Sequence, residues 1–226
     1  MSYIILYIYI HIYMSSHIKN CKVVFIGESG VGKTSIISHF VDGEYTVPQH
    51  QTTEAVFNTK ILTINSNNQN LSFELWDTAG QTPLRSMAKL FYSNADVIVL
   101  VYNITALTTF MEVKNYWLDQ IKSNAHKEIQ LVIVGTFADK ASKAEVNDEQ
   151  CKQLAKEVNA VFKVISAKEN DDVVGLFQEI GNVYYTHCDE RSNKLKEKAL
   201  KIKSDDDDDK YDKYDGSMSS SGGKAC

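Results

Sequence analysis

The stretch Gly27-Glu-Ser-Gly-Val-Gly-Lys-Thr34 decides the fold of this chain. It fits the phosphate-loop pattern G-x-x-x-x-G-K-[ST] at every fixed position. The apolar run 22–26 before it predicts a buried strand, and residues 35–40 after it predict the start of a helix. Glycines let successive N–H groups point at a phosphate, and the helix N-terminus adds its positive dipole end. A chance glycine-rich turn is the alternative, but the flanking elements favour a nucleoside triphosphate site.

Within this motif each residue type has a chemical task. Lys33 is expected to reach the β- and γ-phosphates and is a candidate catalytic residue, and the Thr34 hydroxyl is expected to bind Mg²⁺. The candidate nucleotide-binding residues of the loop are Glu28, Ser29, Gly30, Val31, Gly32, Lys33, Thr34 and Ser35.

Composition restricts the class of protein. The 226 residues suit one domain with extensions, and the net charge of −5 gives no footprint for nucleic acid. The cysteines, at positions 21, 151, 188 and 226, share no paired or metal-like spacing. This favours a reducing, cytosolic setting without disulfides. No apolar run approaches the length of a membrane-spanning helix.

Both ends differ from the middle of the chain. Residues 1–20 form an N-terminal extension whose first part is almost all Tyr and Ile, without the features of a signal peptide. We interpret it as sequence read upstream of a true start at Met14, and a short hydrophobic anchor is the alternative. Residues 188–226 are charged, then polar, and include five aspartates at 205–209. This composition predicts a flexible tail.

Between these ends, residues 21–187 alternate strand-like and helix-like patterns. Helical spacing joins Phe110 to Ile121 and Val173 to Tyr184. The runs near residues 100 and 132 are continuously apolar, as in strands buried on both faces of a parallel sheet. We predict strands at 22–27, 55–64, 71–76, 96–102, 129–135 and 161–165. The second and third form an antiparallel hairpin around residues 65–68. The sequence thus predicts a doubly wound α/β domain with a mostly parallel six-stranded sheet, one antiparallel strand and helices on both faces.

A second motif, Leu75-Trp-Asp-Thr-Ala-Gly-Gln81, narrows the chemistry. It places Asp77 at the carboxyl end of the third strand, where it can hold the metal ion through water. Gly80 can offer its backbone N–H to a γ-phosphate, and Gln81 can orient an attacking water.

The chain resembles the Ras superfamily of small GTPases, and within it the Rab branch. The resemblance is carried by G-E-S-G-V-G-K-T, F-V-D-G-E-Y, the threonine of Q-T-T-E-A-V-F, L-W-D-T-A-G-Q, V-Y-N-I-T and I-S-A-K, across residues 22–187. The spacing between Phe40 and Phe57 is most similar to that of the endosomal Rabs.

The resemblance assigns roles to further residues. It implies that Thr52 senses the γ-phosphate and Mg²⁺, and that Tyr45 packs on the guanine edge. Residues Ser166, Ala167 and Lys168 match the loop whose alanine N–H donates to guanine O6. Asp139 matches the carboxylate that reads guanine N1–H and N2–H₂. The implied cofactors are GTP or GDP and Mg²⁺.

Several positions depart from the family pattern. The guanine-reading N-K-x-D is here Thr136-Phe-Ala-Asp139, so the asparagine that ties loops together and the lysine that covers the base are missing. A lost hydrogen bond costs roughly 0.5–1.5 kcal/mol, and more where its partner is left buried and unpaired, so two such losses predict binding weakened about ten- to a thousandfold and hence fast nucleotide exchange. Stacking of Phe137 on the base would recover part of this. Glu54 replaces the glycine that the family has two residues beyond the threonine of its first switch segment. In the second switch segment, after Gln81, Thr82-Pro83 replaces the usual acidic residue and arginine.

The terminal Cys226 is the candidate lipidation site, and an inert thiol in the tail is the alternative. A single prenyl group gives only marginal membrane binding, so stable anchoring needs a second signal.

We therefore predict a Rab-like GTP/GDP switch with slow hydrolysis, acting in vesicle traffic as a monomer on the cytosolic face of an endomembrane. The predicted partners are effectors, exchange factors and GTPase-activating proteins, bound through the two switch segments. A non-hydrolysing scaffold with the same fold is the alternative, and an ATP-using kinase or transport ATPase is a third interpretation.

Overall fold

Six strands form a single sheet in the part of the chain that the structure describes. This structure is a computed structural model that describes residues 18–47, 50–80, 85–92 and 94–211, with the backbone alone for 85–87 and 196–211. The sheet order is β2-β3-β1-β4-β5-β6. Strand β2 is antiparallel to β3, and the other neighbours are parallel. The strands are β1 (Lys19–Ile26), β2 (Val56–Ile64), β3 (Gln69–Asp77), β4 (Val97–Asn103), β5 (Gln130–Thr136) and β6 (Val161–Val164).

These strands follow from the hydrophobic pattern. The six residues 97–102 of β4 are all fully buried, as their unbroken apolar run predicts for a central strand covered on both faces. The hairpin between β2 and β3 turns at residues 65–68, where Asn68 adopts the left-handed conformation with φ 53°. Asparagine tolerates this conformation better than most residues, so the polar cluster there ends β2 and starts β3 in the predicted place.

Helices cover both faces of the sheet. They are α1 (Lys33–Asp42), α2 (Arg85–Tyr92), α3 (Leu107–Glu112), α4 (Leu118–Asn124), α5 (Asp148–Glu157) and α6 (Asn170–Tyr211). A π-helical turn, Val113–Trp117, joins α3 to α4, and a 3₁₀ segment, Ala138–Lys143, follows β5.

Alternate residues of the central strands supply the two cores. On one face, β1 and β4 pack against α2, α3, α4 and α5 through a cluster that includes Ile98, Leu100 and Trp117. On the other face, Phe177 of α6 stacks on Phe40 of α1 with 3.6 Å between ring centroids, and both contact Phe73 of β3. The predicted fold class is therefore confirmed.

The chain divides into two compact units, of which the first ends at Tyr184 and the second starts at Tyr185. The last helix continues to Tyr211, so residues 188–211 of the predicted tail are helical, and their flexibility stays a prediction. Within the described residues, no helix combines the length and the apolar character needed to cross a bilayer.

The topology determines where a ligand can bind. The order of the sheet places β1 between β3 and β4, and all three are parallel. Their carboxyl ends therefore lie at one edge, on either side of the point where the chain reverses its direction of winding. Open α/β sheets bind ligands in the crevice at such an edge. The loop after β1, which carries the glycine-rich motif, opens into this crevice.

Candidate functional site

The loop after β1 has a backbone that only glycine adopts readily at three positions. Gly27, Gly30 and Gly32 have φ values of 145°, 76° and 99°. At Gly27 an added Cβ would also lie 2.2 Å from the carbonyl oxygen of Val101, so a side chain has no room there. The last of these glycines is the N-cap of α1. Such a loop directs backbone N–H groups inward, at the positive end of the helix dipole, and so forms an anion site.

Lys33 lies at the centre of this loop. It is only 5% exposed, and its Nζ donates to the carbonyl oxygens of Gly27 at 2.9 Å and Glu28 at 2.8 Å. Burial lowers the pKa of Lys33 to about 8, and the charges of Asp77 and Glu28 oppose this shift. A buried ammonium group is stabilised by a nearby anion, and a bound phosphate would provide one.

Three oxygen-bearing side chains meet beside Lys33. The Thr34 hydroxyl donates to Asp77 Oδ2 at 2.6 Å, and it lies 2.7 Å from the Thr52 hydroxyl. Thr34 belongs to α1, Asp77 ends β3, and Thr52 comes from the segment before β2. The structure therefore brings together all three predicted metal residues, although they are far apart in the sequence.

The carboxylate of Asp77 fits a role near a cation. Asp77 is 2% exposed, and its Oδ1 is buried with no hydrogen-bond partner among the described residues. Burial raises the pKa of Asp77, while the hydrogen bond from Thr34 and the charge of Lys33 lower it. A buried carboxylate oxygen without a partner is costly unless a cation or an ordered water satisfies it. The donor set consists of hydroxyl and carboxylate oxygens, the ligand type that Mg²⁺ prefers. The residues therefore fit Mg²⁺.

Gly80 closes the other side of the phosphate region. An added Cβ would lie 2.4 Å from the backbone carbon of Glu28 and 2.4 Å from the backbone nitrogen of Ser29. The segment after β3 thus runs directly against the glycine-rich loop, and only a residue without a side chain fits there. This contact places the Gly80 backbone against the phosphate loop, and its contact with a γ-phosphate stays a prediction.

These elements surround a cleft of about 340 Å³. This volume lies within the range typical of small-molecule sites. A smaller cavity adjoins it and shares Gly32, Ser35, Tyr45 and Phe137 with it. The larger one is lined by Ser29, Gly30, Gly32, Lys33, Thr34, Ser35, Tyr45, Val47, His50, Gln51, Thr52, Gly80 and Phe137. The smaller one is lined by Gly32, Ser35, Tyr45, Thr136, Phe137, Asp139, Ala167 and Lys168.

The smaller cavity is lined by four of the residues predicted to contact the base, which are Tyr45, Asp139, Ala167 and Lys168. Lys168 Nζ lies 2.7 Å from Asp139 Oδ2, and the Ser166 hydroxyl donates to Asp139 Oδ1 at 3.3 Å. The hydrogen bond from Lys168 lowers the pKa of Asp139, and partial burial opposes it. The Ser166 N–H donates to Asp172 at 2.8 Å, which fixes the loop between β6 and α6. Asp139 is therefore held as an ionised acceptor.

Thr136 and Phe137 occupy the two positions at which the family pattern has an asparagine and a lysine. The Thr136 hydroxyl lies 2.6 Å from the carbonyl oxygen of Val31 and 2.9 Å from that of Tyr102. It thus still ties β5 to the phosphate loop and β4, which corrects the expectation that this tie is lost. Phe137 adopts the left-handed conformation with φ 65°, lines both cavities and carries the Lys140 ammonium 4.6 Å from its ring centroid.

Four of the predicted site residues do not line either cavity. Glu28, Val31, Asp77 and Ser166 are absent from the two linings, but each bonds to a residue that lines them. Gln81, the second switch at 82–83, Met14 and Cys226 lie outside the described residues.

Two contacts of the site join residues that no sequence motif connects. Trp117, in the π-helical turn, donates its indole N–H to Glu28 at 3.4 Å. His39 Nδ1 lies 2.6 Å from the carbonyl oxygen of Ala167. The sequence contains no signal for either contact, because both join residues that are about ninety or more positions apart.

The family follows from a comparison with known proteins. The model of the Ras family matches residues 22–185. The chain belongs to the Ras family. This confirms the predicted family, fold class and enzyme class, a small GTPase.

The relatives place this Ras-family chain in the Rab branch. It is similar to the Ras-related protein RabJ of Dictyostelium discoideum, with 41% identity over 160 residues, which are 71% of this chain and 61% of RabJ. It is 35% identical over 174 residues to the Ras-related protein SEC4 of Saccharomyces cerevisiae, covering 77% of this chain and 78% of SEC4. It is 32% identical over 163 residues to the Ras-related protein Rab5A of Oryza sativa subsp. japonica, covering 72% and 79%. The match spans less than two thirds of RabJ but more than three quarters of the other two.

Proposed function

We propose that this Rab-like GTPase binds GTP and GDP with Mg²⁺ and hydrolyses GTP slowly, as a switch in vesicle traffic. The observation that carries the proposal is the convergence of Lys33, Thr34, Thr52 and Asp77 at a cleft that adjoins a smaller cavity lined by Asp139. The buried cation and the oxygen cluster suit the phosphates and the metal ion of a nucleoside triphosphate, and the ionised acceptor in the adjoining cavity suits its base.

At the phosphate end, the residues act by charge and position. Lys33 exchanges its two carbonyl partners for phosphate oxygens, and the loop N–H groups hold the same phosphates. Thr34 and Thr52 would hold Mg²⁺ directly, and Asp77 would hold it through water. The bound ion would neutralise charge that develops on the phosphate oxygens. Gly80 contributes a backbone N–H at the γ-phosphate. Gln81 is proposed to orient the attacking water.

At the base end, Asp139 supplies the specificity for guanine. An ionised carboxylate accepts hydrogen bonds and so recognises the N1–H and N2–H₂ donors of guanine, a pattern that adenine lacks. Lys168 must release one carboxylate oxygen when the base binds. This competition and the missing asparagine contact favour weaker binding and fast exchange. The loop tie of Thr136 and the ring of Phe137 oppose that loss.

Strand β2, at the edge of the sheet and shortly after Thr52 in the sequence, offers a surface for effectors. Phe57 of β2 is 49% exposed, and its ring centroid lies 5.0 Å from that of Trp76. Trp76 lies 5.1 Å from the ring of Phe91 on α2. Exposed aromatic side chains are enriched at protein interfaces. We propose that effectors, exchange factors and GTPase-activating proteins bind here, and that the segment holding Thr52 changes conformation with the γ-phosphate.

We further propose that the protein acts as a monomer on the cytosolic face of an endomembrane. Anchoring would use a prenyl group on Cys226, supported by the lysines that precede the aspartate run, which are Lys194, Lys196, Lys198, Lys201 and Lys203. Because one lipid binds a membrane only marginally, we expect reversible attachment.

Nucleotide binding is the first test. The full chain is titrated with a fluorescent GTP analogue in the presence of Mg²⁺, followed by competition with GDP, GTP and ATP and by measurement of the dissociation rate. Guanine-selective binding with rapid dissociation supports the proposal. A folded protein that binds no nucleotide contradicts it and favours the scaffold alternative. Binding that ATP competes for equally well would favour the ATP-using alternative.

Hydrolysis is tested separately. The Gln81→Leu variant should bind GTP as the unmodified chain does but hydrolyse it at least tenfold more slowly in a single turnover. Equal single-turnover rates in the two proteins would contradict the role of Gln81.

A further inference from the structure

We infer that His39 is a positioning residue for the base site, which it joins to the phosphate-binding helix. It is a polar residue of α1 that no sequence motif singles out, yet it is only 3% exposed. Its Nδ1 lies 2.6 Å from the carbonyl oxygen of Ala167, which is 128 positions away in the sequence. This inference rests on the proposed binding of guanine nucleotides.

The contact determines which nitrogen of the ring carries the proton. A carbonyl oxygen accepts hydrogen bonds and never donates them, so at 2.6 Å Nδ1 must be the donor. A buried polar group that makes such a bond is held in one orientation, and the carbonyl that receives it is held as well. Ala167 is thus held by a side chain from a different element of the fold.

The bonded peptide adjoins the proposed contact with the base. The carbonyl of Ala167 and its N–H belong to successive planar peptide groups, so once the first is anchored only the two backbone dihedrals of Ala167 set the direction of the second. The Ala167 N–H is the group proposed to donate to guanine O6. His39 therefore orients the Ala167 N–H without contacting the nucleotide.

The same ring also lies beside a second base contact. The centroid of the His39 ring is 6.3 Å from that of Tyr45, with its plane at 62°, an edge-to-face arrangement. Tyr45 and Ala167 both line the smaller cavity. His39 thus supports two walls of the base site at once.

Its position on α1 links the base to the phosphates. Helix α1 begins at Lys33 and ends at Asp42, so His39 lies fewer than two turns from the phosphate-binding lysine. A shift of this helix would move the donor that holds Ala167. The loop that reads the base and the loop that holds the phosphates are therefore coupled through one hydrogen bond.

Two substitutions separate the hydrogen bond from the ring. His39→Phe keeps an aromatic edge on Tyr45 but cannot donate to Ala167. His39→Asn keeps an N–H donor close to the position of Nδ1 but removes the ring. If His39→Phe fails to fold, His39→Leu makes the same comparison with the donor removed. Thermal unfolding of each variant verifies that the compared proteins are folded.

The readout is the affinity for three nucleotides, measured by competition against the fluorescent GTP analogue with the full chain. 6-Thio-GTP replaces O6 by a sulfur, a poorer acceptor, and therefore reports on the Ala167 N–H. ITP lacks the 2-amino group and therefore reports on Asp139. We expect the unmodified chain to prefer GTP over 6-thio-GTP by about two- to tenfold, the value of one hydrogen bond. In His39→Phe this preference should disappear while the preference over ITP stays, and His39→Asn should restore it.

Two results would overturn the inference while leaving the proposed function intact. One is an unchanged preference for GTP over 6-thio-GTP in His39→Phe. The other is an equal loss of both preferences in His39→Phe and His39→Asn, which a merely structural role would produce. If the unmodified chain binds no guanine nucleotide, the proposed function itself fails, and the inference falls with it.

Discussion

The hydroxyl of Thr136 lies 2.6 Å from the carbonyl oxygen of Val31, inside the phosphate loop. It also lies 2.9 Å from the carbonyl oxygen of Tyr102 at the end of β4. A hydroxyl has one proton, so it donates to one of the two carbonyls at a time. Thr136 is 1% exposed, and the oxygen of Val31 is therefore paired in a place that water reaches poorly. This residue keeps the loop tie although the family asparagine is missing.

Replacing Thr136 by valine should loosen the phosphate loop. Valine has nearly the same shape but no hydroxyl, so the carbonyl of Val31 loses its donor. We expect a loss of about 1 kcal/mol in the free energy of unfolding and nucleotide dissociation about fivefold faster. Urea unfolding and stopped-flow dissociation measure the two effects. Thr136→Ser keeps the hydroxyl and should stay close to the unmodified chain. Equal behaviour of the valine and serine variants would show that the hydroxyl does not hold the loop.

A methyl group at Gly80 should disturb the same loop from the opposite side. The added Cβ would lie 2.4 Å from the backbone of Glu28, and a backbone atom cannot swing away as a flexible side chain can. We expect Gly80→Ala to lose about 1–3 kcal/mol of stability, the usual cost of overpacking, and to bind GTP more weakly.

Gly175 provides the matched control for this substitution. It lies inside helix α6, and the nearest atom to an added Cβ is Lys163 Nζ at 4.0 Å. Gly175→Ala should therefore stabilise the chain by about 0.5–1 kcal/mol through helix propensity alone. If the close approach of Gly80 to Glu28 is correct, thermal unfolding should show a lower Tm for Gly80→Ala and a higher Tm for Gly175→Ala than for the unmodified chain. A change of the same sign in both variants would contradict it.

The sequence predicted the elements of the fold and the phosphate end of the site. Local patterns sufficed, because the central strands are apolar runs, the hairpin strands alternate polar and apolar residues, and Lys33, Thr34 and Asp77 belong to motifs with fixed spacing. The segment around Thr52 required the family resemblance, since no local pattern brings it to Thr34. The contact between His39 and Ala167 could not be predicted. It depends on the packing of α1 against a loop more than a hundred residues later, and histidine inside a helix has no pattern of its own.

The geometry of the π-helical turn was also beyond the sequence. The residues from Phe110 to Ile121 keep helical spacing, and this correctly predicted a buried helical face. The turn at 113–117 includes one more residue than an α-helical turn, and it determines how Trp117 meets Glu28. Spacing on a helix does not distinguish these two turns, because the apolar residues are buried in either case.

Phe137 should contribute to nucleotide affinity by covering the base. Its ring lines both cavities, in the position where the family has a lysine stem. Stacking of a base on an aromatic ring is worth about 1–3 kcal/mol. Phe137→Leu keeps apolar bulk but loses most of that stacking, so we expect dissociation about five- to tenfold faster. Phe162→Leu, on the half-buried strand β6 outside both cavities, is the control. Equal dissociation rates in the two variants would place the Phe137 ring away from the base.

Lys168 should keep the base-reading carboxylate ionised in acid. The hydrogen bond from Lys168 lowers the pKa of Asp139 below its ordinary value, and the same bond raises the pKa of Lys168. A carboxyl whose pKa is lower in the folded chain contributes stability that is present above the unfolded pKa. That contribution is lost as the pH falls through the folded pKa. Removal of the lysine should therefore move this loss to a higher pH.

Lys168→Met tests this relationship, with Lys152→Met as its matched control. Lys152 lies 2.8 Å from Glu149 on an exposed helix surface, so its removal breaks an ion pair of the same kind that does not include Asp139. An NMR titration of the Asp139 carboxyl should show a higher pKa in Lys168→Met and an unchanged one in Lys152→Met. GTP affinity should begin to fall at a correspondingly higher pH in Lys168→Met, because guanine requires the ionised carboxylate. If Asp139 titrates identically in all three proteins, the 2.7 Å contact is not maintained in solution, and Lys168 does not compete with the base.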